Sequence, residues 1–248
     1  MGRAFQNRKE SMAKTSDTNA RVYSKFSREI YVCAKSGGFD VEGNLALRGL
    51  IERAKKSQVP SHVIEKAVDK AKGGGGEDFA VARYEGYGPN NCMVIIDCLT
   101  DNPNRTFGDV RVCFTKTNSK LGTQGSVAHM FDHSAIFVFN AKIENTLLDD
   151  EAVLEILMME DVNVTDIEFE GGKITVFAEN TEYFKAKKTL MDNYKGIDFD
   201  IDEIQFVAKS TIPSSDIDME IFDKFIDMLD ELDDVQNIFH NVEIGEDQ

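Results

Sequence analysis

The sequence contains no tryptophan, and only four prolines, four cysteines and four histidines in 248 residues. Each shortage removes a class of explanation. Cys33, Cys92, Cys98 and Cys113 form no C-x-x-C pair, so neither a zinc ribbon nor a thioredoxin-like dithiol has its carrier. Three of the four fall in apolar periodic stretches and read as reduced core residues of a cytoplasmic protein. No apolar run approaches the ~18 residues that a membrane span needs, and no membrane partner is expected. The opening "MGRAFQNRKESMAK" lacks the apolar segment of a secretory signal, and Gln6 stands where a myristoylation signal wants Ser or Thr. The glycine run Gly73–Gly76 is followed by Glu77 and Asp78 and not by the Gly-Lys-Ser/Thr of a phosphate loop. His129 and His133 fall on a strand and turn, where their spacing does not chelate. His62 and His240 have no evident partner. No metal, no cofactor and no nucleophile–base pair emerges, so an enzyme is not expected.

What is present is charge, unevenly spread. The formal net charge is −16. Residues 1–76 hold 15 lysines and arginines against 8 acids, while residues 77–248 hold 13 against 36. A basic module on an acidic body is the pattern of a chain that meets an anion with one part only. The carriers in the first part are Arg3, Arg8, Lys9, Lys14, Arg21, Lys25 and Arg28, extended by Lys55, Lys56, Lys66, Lys70 and Lys72. Residues 1–17 read as a mobile arm. Arg21, Lys25 and Arg28, at i, i+4 and i+7, define one solvated helix face. Lysine and arginine neutralise phosphates and release counterions, so the expected partner is nucleic acid.

Apolar spacing divides the chain further. Val22, Phe26, Ile30 and Ala34 predict a helix that stops at Gly37. Asn44 caps a second, with Leu47, Leu50, Ile51 and Ala54 inward, and Ser61 a third, with Ile64, Ala67, Val68 and Ala71 inward. "GGGGED" then reads as a hinge. Beyond it, strands are expected at "CMVIIDCL", "SVAHMF", "AIFVFNAK", "VTDIEFE", "KITVFAE", "DEIQFVAKS" and "VQNIFHNVEI". Helices are expected at "NPNRTFGDVRVCFTKTN", with Phe107, Val110, Cys113 and Phe114 on one face, at "DDEAVLEILMME", "TEYFKAKKTLMDN" and "SSDIDMEIFDKFIDMLDEL". The last buries Ile217, Ile221, Phe222, Phe225 and Leu229 opposite a solvated row of acids. The β-α-β-β-α-β order within 134–205 is that of a ferredoxin-like unit. The architecture expected is α/β in three domains: a basic helical domain over 1–76, an α/β domain over 77–132 plus 206–248, and a ferredoxin-like domain inserted at 133–205.

Two polar segments stand out. In "TDNPNRT", Asn102 suits a helix cap and Pro103 the first helical position, so free backbone N–H groups there attract an anion. Arg105 then lies in the first turn, where the helix dipole disfavours a cation. It calls for a partner carboxylate, Asp101 or Asp109, or for a bound phosphate. In "YEGYGPNN", Tyr84 and Tyr87 suit either packing or base stacking, in a tight loop entering the next strand.

These segments carry a resemblance. "RYEGYGPNN", "CLTDNPNRTFGDVR", "LGTQGSVAHMF" and "DDVQNIFHNV" resemble the YebC/PmpR family, and "IYVCAKSGG", "LIERAKKSQVPSHVIEKAVDKAKGGG" and the MGR start resemble its YeeN-like branch. The resemblance spans nearly the whole chain. It implies three domains, helical first, with the third inserted into the second. The matching positions are Tyr84, Gly86, Tyr87, Gly88 and Pro89, then Thr100, Asp101, Asn102, Asn104, Arg105 and Thr106. The family is described as cytoplasmic DNA-binding transcriptional regulators, with other members, including the mitochondrial relative, acting as ribosome-associated translation activators. The implied partner is therefore DNA, or ribosomal RNA on the ribosome, with Asn104 and Arg105 joining the basic residues as contacts. The chain departs from the family at its start, where "GRAFQNRKE" replaces G-x-x-K-W-A-N-I, at Pro103, and in its acidic C-terminal body.

Overall fold

A computed structural model describes residues 19–73, 78–143 and 146–243. The arm with Arg3, Arg8, Lys9 and Lys14 and the hinge glycines at 74–76 lie outside them. The chain forms α1 (Asn19–Gly37), α2 (Leu45–Lys56), α3 (Ser61–Lys72), β1 (Ala80–Tyr87), β2 (Met93–Thr100), α4 (Pro103–Lys116), β3 (Lys120–Leu121), β4 (Phe131–Asn140), β5 (Lys142–Ile143) and β6 (Thr146–Leu147). It continues with α5 (Asp150–Met159), β7 (Val164–Glu170), β8 (Lys173–Glu179), α6 (Tyr183–Asn193), β9 (Phe199–Ala208), β10 (Ile212–Pro213), α7 (Met219–Asp230), β11 (Val235–His240) and β12 (Val242–Glu243). The described residues divide into two compact units, 19–127 with 214–240, and 128–213 with 241–243.

In the first unit, the four-residue spacing of α1 buries Ile30 and Ala34 against Leu47, Leu50 and Ala54 of α2 and Ile64, Ala67 and Val68 of α3. Val22 and Phe26 sit partly buried at the margin. This core is drawn from the three helices and the connections between them, with Val41 and Val59 contributed by the latter. The Asn44 carboxamide oxygen accepts from Leu47 N at 3.0 Å and caps α2. At α3 the expected cap is displaced: Pro60 takes the extended capping position and Ser61 becomes the first helical residue, with no side-chain bond to the helix start. Proline's fixed φ and missing N–H suit that place.

The same unit holds a sheet of order β11-β2-β1-β3, antiparallel throughout. The segment expected as a loop, Tyr84–Tyr87, is instead strand, paired residue for residue with Met93–Ile96. Its glycines answer to close packing. A Cβ on Gly86 would lie 2.6 Å from a Phe114 ring carbon and 2.7 Å from the Lys120 carbonyl oxygen. The turn falls later, at Gly88–Asn91, where Asn90 and Asn91 take left-handed φ values of 55° and 61° and Gly88 N donates to Cys92 O at 2.7 Å. Helices α4 and α7 meet through the edge-to-face pair Phe114–Phe225, 5.0 Å apart. Phe107 and Ile221, expected on the inner faces, are exposed. Phe107 covers the Tyr84 ring at 6.2 Å. His240, expected without a partner, stands edge-on to Phe222 at 5.1 Å.

The second unit is a β-α-β-β-α-β sandwich of order β7-β8-β4-β9, with every neighbour antiparallel: the ferredoxin-like arrangement that the element order predicts. Phe137, Phe139, Val153, Leu157, Ile174, Val176, Leu190 and Phe199 fill its core. The β7–β8 hairpin turns at Gly171 and Gly172, both at positive φ. "SVAHMF" is no strand: only Phe131 enters β4, and Ala128–Met130 is a 3₁₀ turn. The sheet of the first unit has the equivalent four-strand order, but its chain enters at a hairpin, and its closing helix and strand, α7 and β11, follow the inserted unit.

Candidate nucleic-acid interface and its carboxylate anchors

Both polar segments that stand out in the sequence are anchored on buried carboxylates of the first unit. The start of α4 forms as expected: Pro103 is its first residue, and the Asn102 side chain accepts from Arg105 N at 3.2 Å. The anion drawn to this helix start is the protein's own Asp234, 5% exposed. Its Oδ2 accepts from Arg105 Nη2 at 2.7 Å, Thr106 Oγ1 at 2.7 Å and Thr100 Oγ1 at 3.1 Å. Its Oδ1 accepts from Arg28 Nη1 of α1 at 2.7 Å. Burial pushes the Asp234 carboxyl up, and the bonds from Arg105, Thr106, Arg28 and Thr100 outweigh it and hold the group below the usual carboxylate range. Arg105 also donates to Asp101 at 2.8 Å, one of the two local acids its spacing offers. Asp109, the other, lines the same cleft as Arg105.

The second anchor is Glu85, 3% exposed. Its two oxygens accept from Gly125 N at 2.7 Å and Val127 N at 2.9 Å, and the Tyr87 hydroxyl donates to Ser126 O at 3.2 Å. "YEGYG" and "LGTQGSV" are therefore one knot, and "TDNPNRT" and "DDVQ" another. Tyr84, the other candidate stacking residue, donates to Pro103 O at 3.3 Å and rests against Phe107. Sequence reasoning names neither Glu85 nor Asp234 as a functional position. The signal for Asp234 is the one that Arg105 gives, a cation in need of a partner, and the partner is 129 residues away.

The basic residues separate into two sets. Arg21, Lys25 and Arg28, expected as a solvated face, are instead paired with the turn that follows α7. Arg21 Nη2 lies 3.7 Å from Glu231, Lys25 Nζ 3.0 Å from Asp230 and Arg28 Nη1 2.7 Å from Asp234. The physical reason is the charge split itself: the acidic body supplies the counter-charges. Lys55, Lys56, Lys66, Lys70 and Lys72, on α2 and α3, and Asn104 remain exposed. Lys70 and Lys72 stand over the rings of Tyr31 and Phe39. Between the two sets opens a cleft of about 550 Å³, lined by Ser24, Ser27, Arg28, Tyr31, Lys70, Phe79, Arg105 and acids that include Asp101, Asp109, Glu231 and Asp233. Among the described residues no group of three His, Cys, Asp or Glu is placed to hold a metal.

Residues 3–74 match the family model of the TACO1/YebC protein N-terminal domain, and residues 79–242 that of the TACO1/YebC second and third domain. The chain belongs to the TACO1/YebC family. A relative from Saccharophagus degradans is 68% identical over 243 residues, covering 98% of this chain and all of its own, and bears the name "Probable transcriptional regulatory protein". One from Hydrogenovibrio crunogenus, 69% identical over 245 residues, bears the same name. The crystal structure of a conserved hypothetical protein from Aquifex aeolicus is 32% identical, with a TM-score of 0.74 over 92% of this chain and 91% of that one. These two relatives carry regulatory names, and the helical start followed by two sheet-bearing parts is the family's fold. No helix among the described residues is long and apolar enough to cross a membrane.

Proposed function

We propose that the protein is a non-enzymatic regulator of gene expression that binds DNA through its basic helical N-terminal domain, residues 1–76, in the cytoplasm. The observation that carries this reading is the exposed lysine set on α2 and α3, Lys55, Lys56, Lys66, Lys70 and Lys72, on a chain whose other parts are strongly acidic. Such a surface grips phosphate without reading bases. The α/β domains, 77–132 with 206–248 and the insert 133–205, would then act by position, and their acidic surfaces would keep nucleic acid to the one side. Arg105 would add its guanidinium at the rim, since nearly half of its side chain stays in solvent while it pairs with Asp101 and Asp234.

The test is a salt series. Binding of a labelled DNA duplex should weaken steeply as salt rises, and Lys66→Ala and Lys70→Ala should each lower the log–log slope by about 1 if each lysine meets a phosphate. Sedimentation with ribosomes and no duplex binding at physiological salt would transfer the same lysines to ribosomal RNA and reject DNA as the target. Unchanged slopes in both variants would reject the α2–α3 surface.

A further inference from the structure

We infer that the basic face of α1 is a second polyanion-binding surface, held closed by the acidic turn after α7. The inference rests on the nucleic-acid reading above and adds its regulation. Arg21, Lys25 and Arg28 lie at i, i+4 and i+7 and so project along one side of α1. Each faces a carboxylate of the segment 230–234, with Glu231, Asp230 and Asp234 as the respective partners. Arg28 adds bonds to the carbonyls of Asp233 at 2.6 Å and Leu99 at 3.4 Å. Four carboxylates within five residues, Asp230, Glu231, Asp233 and Asp234, lay a short run of negative charge against a cationic stripe, as a phosphate backbone would.

Two features make the contact releasable. First, the three-helix core takes no residue from the segment 230–234, so separating α1 from the acidic turn leaves that core intact. Second, the seam is already open to water, for the 550 Å³ cleft runs along it with Ser24, Ser27 and Arg28 on its wall. Ion pairs in a wet seam are individually weak and are screened by salt. The Arg21–Glu231 pair is largely exposed, at 40% and 63%, and the Lys25–Asp230 pair is partly exposed, at 15% and 20%. A polyanion that displaces the turn from Arg21 and Lys25 gains those two cations on one face, while Arg28 keeps its mostly buried pair with Asp234, and the Ser24 and Ser27 hydroxyls stand beside them as phosphate donors. The turn thus competes with nucleic acid for α1, and binding at the α2–α3 lysines brings the competitor close.

The experiment compares two double variants of equal charge change. Asp230→Asn/Glu231→Gln weakens the closing contact and leaves Asp234 in place. Glu220→Gln/Asp227→Asn neutralises two exposed acids of α7 that lie outside the segment 230–234. Thermal unfolding checks that both are folded, and anisotropy of a labelled 20-base-pair duplex is read across a salt series. The expected result is that the first variant binds about tenfold tighter than wild type near 150 mM salt, with a log–log slope steeper by about 2, one unit per released cation. The second should shift affinity less than twofold. If both variants shift alike, or the first binds no tighter, the closing contact is refuted while the α2–α3 surface stands. If wild type and both variants ignore duplex and ribosomal RNA at low salt, the nucleic-acid reading falls, and this inference with it.

Discussion

Asp234→Ala offers the most informative perturbation of the first unit. The carboxylate accepts four hydrogen bonds, two from guanidinium groups and two from threonine hydroxyls. Removing one member of a buried, charge-assisted cluster costs about 3–5 kcal/mol when the remaining partners are stranded. Here they are stranded only in part. Arg28 keeps the Asp233 carbonyl, Arg105 keeps Asp101, and the Thr106 hydroxyl keeps Thr100 and the Asn102 carbonyl. Those fallbacks lower the expectation to about 2–3 kcal/mol, or a fall in Tm of roughly 4–12 °C for a unit of this size. Asp233→Ala is the control. Its carboxylate is exposed and Arg28 uses only its carbonyl, so the expected change is within about 0.5 kcal/mol. The sign with pH follows from the depressed carboxyl. Its contribution is complete above the unfolded value of about 3.9 and is lost as pH falls through the lower folded value. The stability gap between wild type and Asp234→Asn, followed by urea titration, should therefore close at the acid end, below about pH 4. A loss in Asp234→Ala no larger than in Asp233→Ala, or a gap that widens toward acid, would refute the assignment of Asp234 as the anchor.

Two further outcomes follow from close packing. Gly86→Ala places a methyl 2.7 Å from the Lys120 carbonyl oxygen, a backbone atom that cannot swing aside, and should cost about 1–3 kcal/mol in a urea titration; a neutral result would show that β3 is not held to β1 as described. Burial pushes the Cys92 and Cys98 thiols up to about 12, leaving about one thiolate in ten thousand at pH 8. Both should resist a thiol reagent in the native protein and react freely in denaturant, and rapid native labelling of either, read by mass spectrometry, would contradict their place in the core.

Much of this fold is legible in the chain because its signals are local. The β7–β8 hairpin turns on two glycines, α1 shows a four-residue apolar period, and the capped start of α4 is written in "DNP". What could not be read depends on residues far away in sequence. "YEGYG" looks like a loop because glycine is a poor strand former, and only the Phe114 ring and the Lys120 carbonyl explain why Gly86 is required in a strand. The cationic face of α1 looks solvated because its acidic partners lie more than 200 residues later. Arg105 announced an anion and Asp101 was visible beside it, but Asp234 was not. "SVAHMF" has the apolar content of a strand, yet most of it is spent on a turn whose Val127 amide reaches back to Glu85.

The placement of β11 has a consequence for synthesis. Strand β2, with Val94, Ile95 and Ile96 fully buried in the finished protein, pairs on one side with β1 and on the other with β11. About 135 residues separate the end of β2 from the start of β11. At elongation rates of about 5–20 residues per second, a nascent chain carries β2 without that neighbour for on the order of 10 s. During that time the insert can complete its own sandwich, while an apolar strand upstream presents an open edge. The acids of 230–234 that close on α1 arrive only at the end, so α1, the first of the described helices to emerge from the ribosome, spends the same interval with those cations unopposed by them.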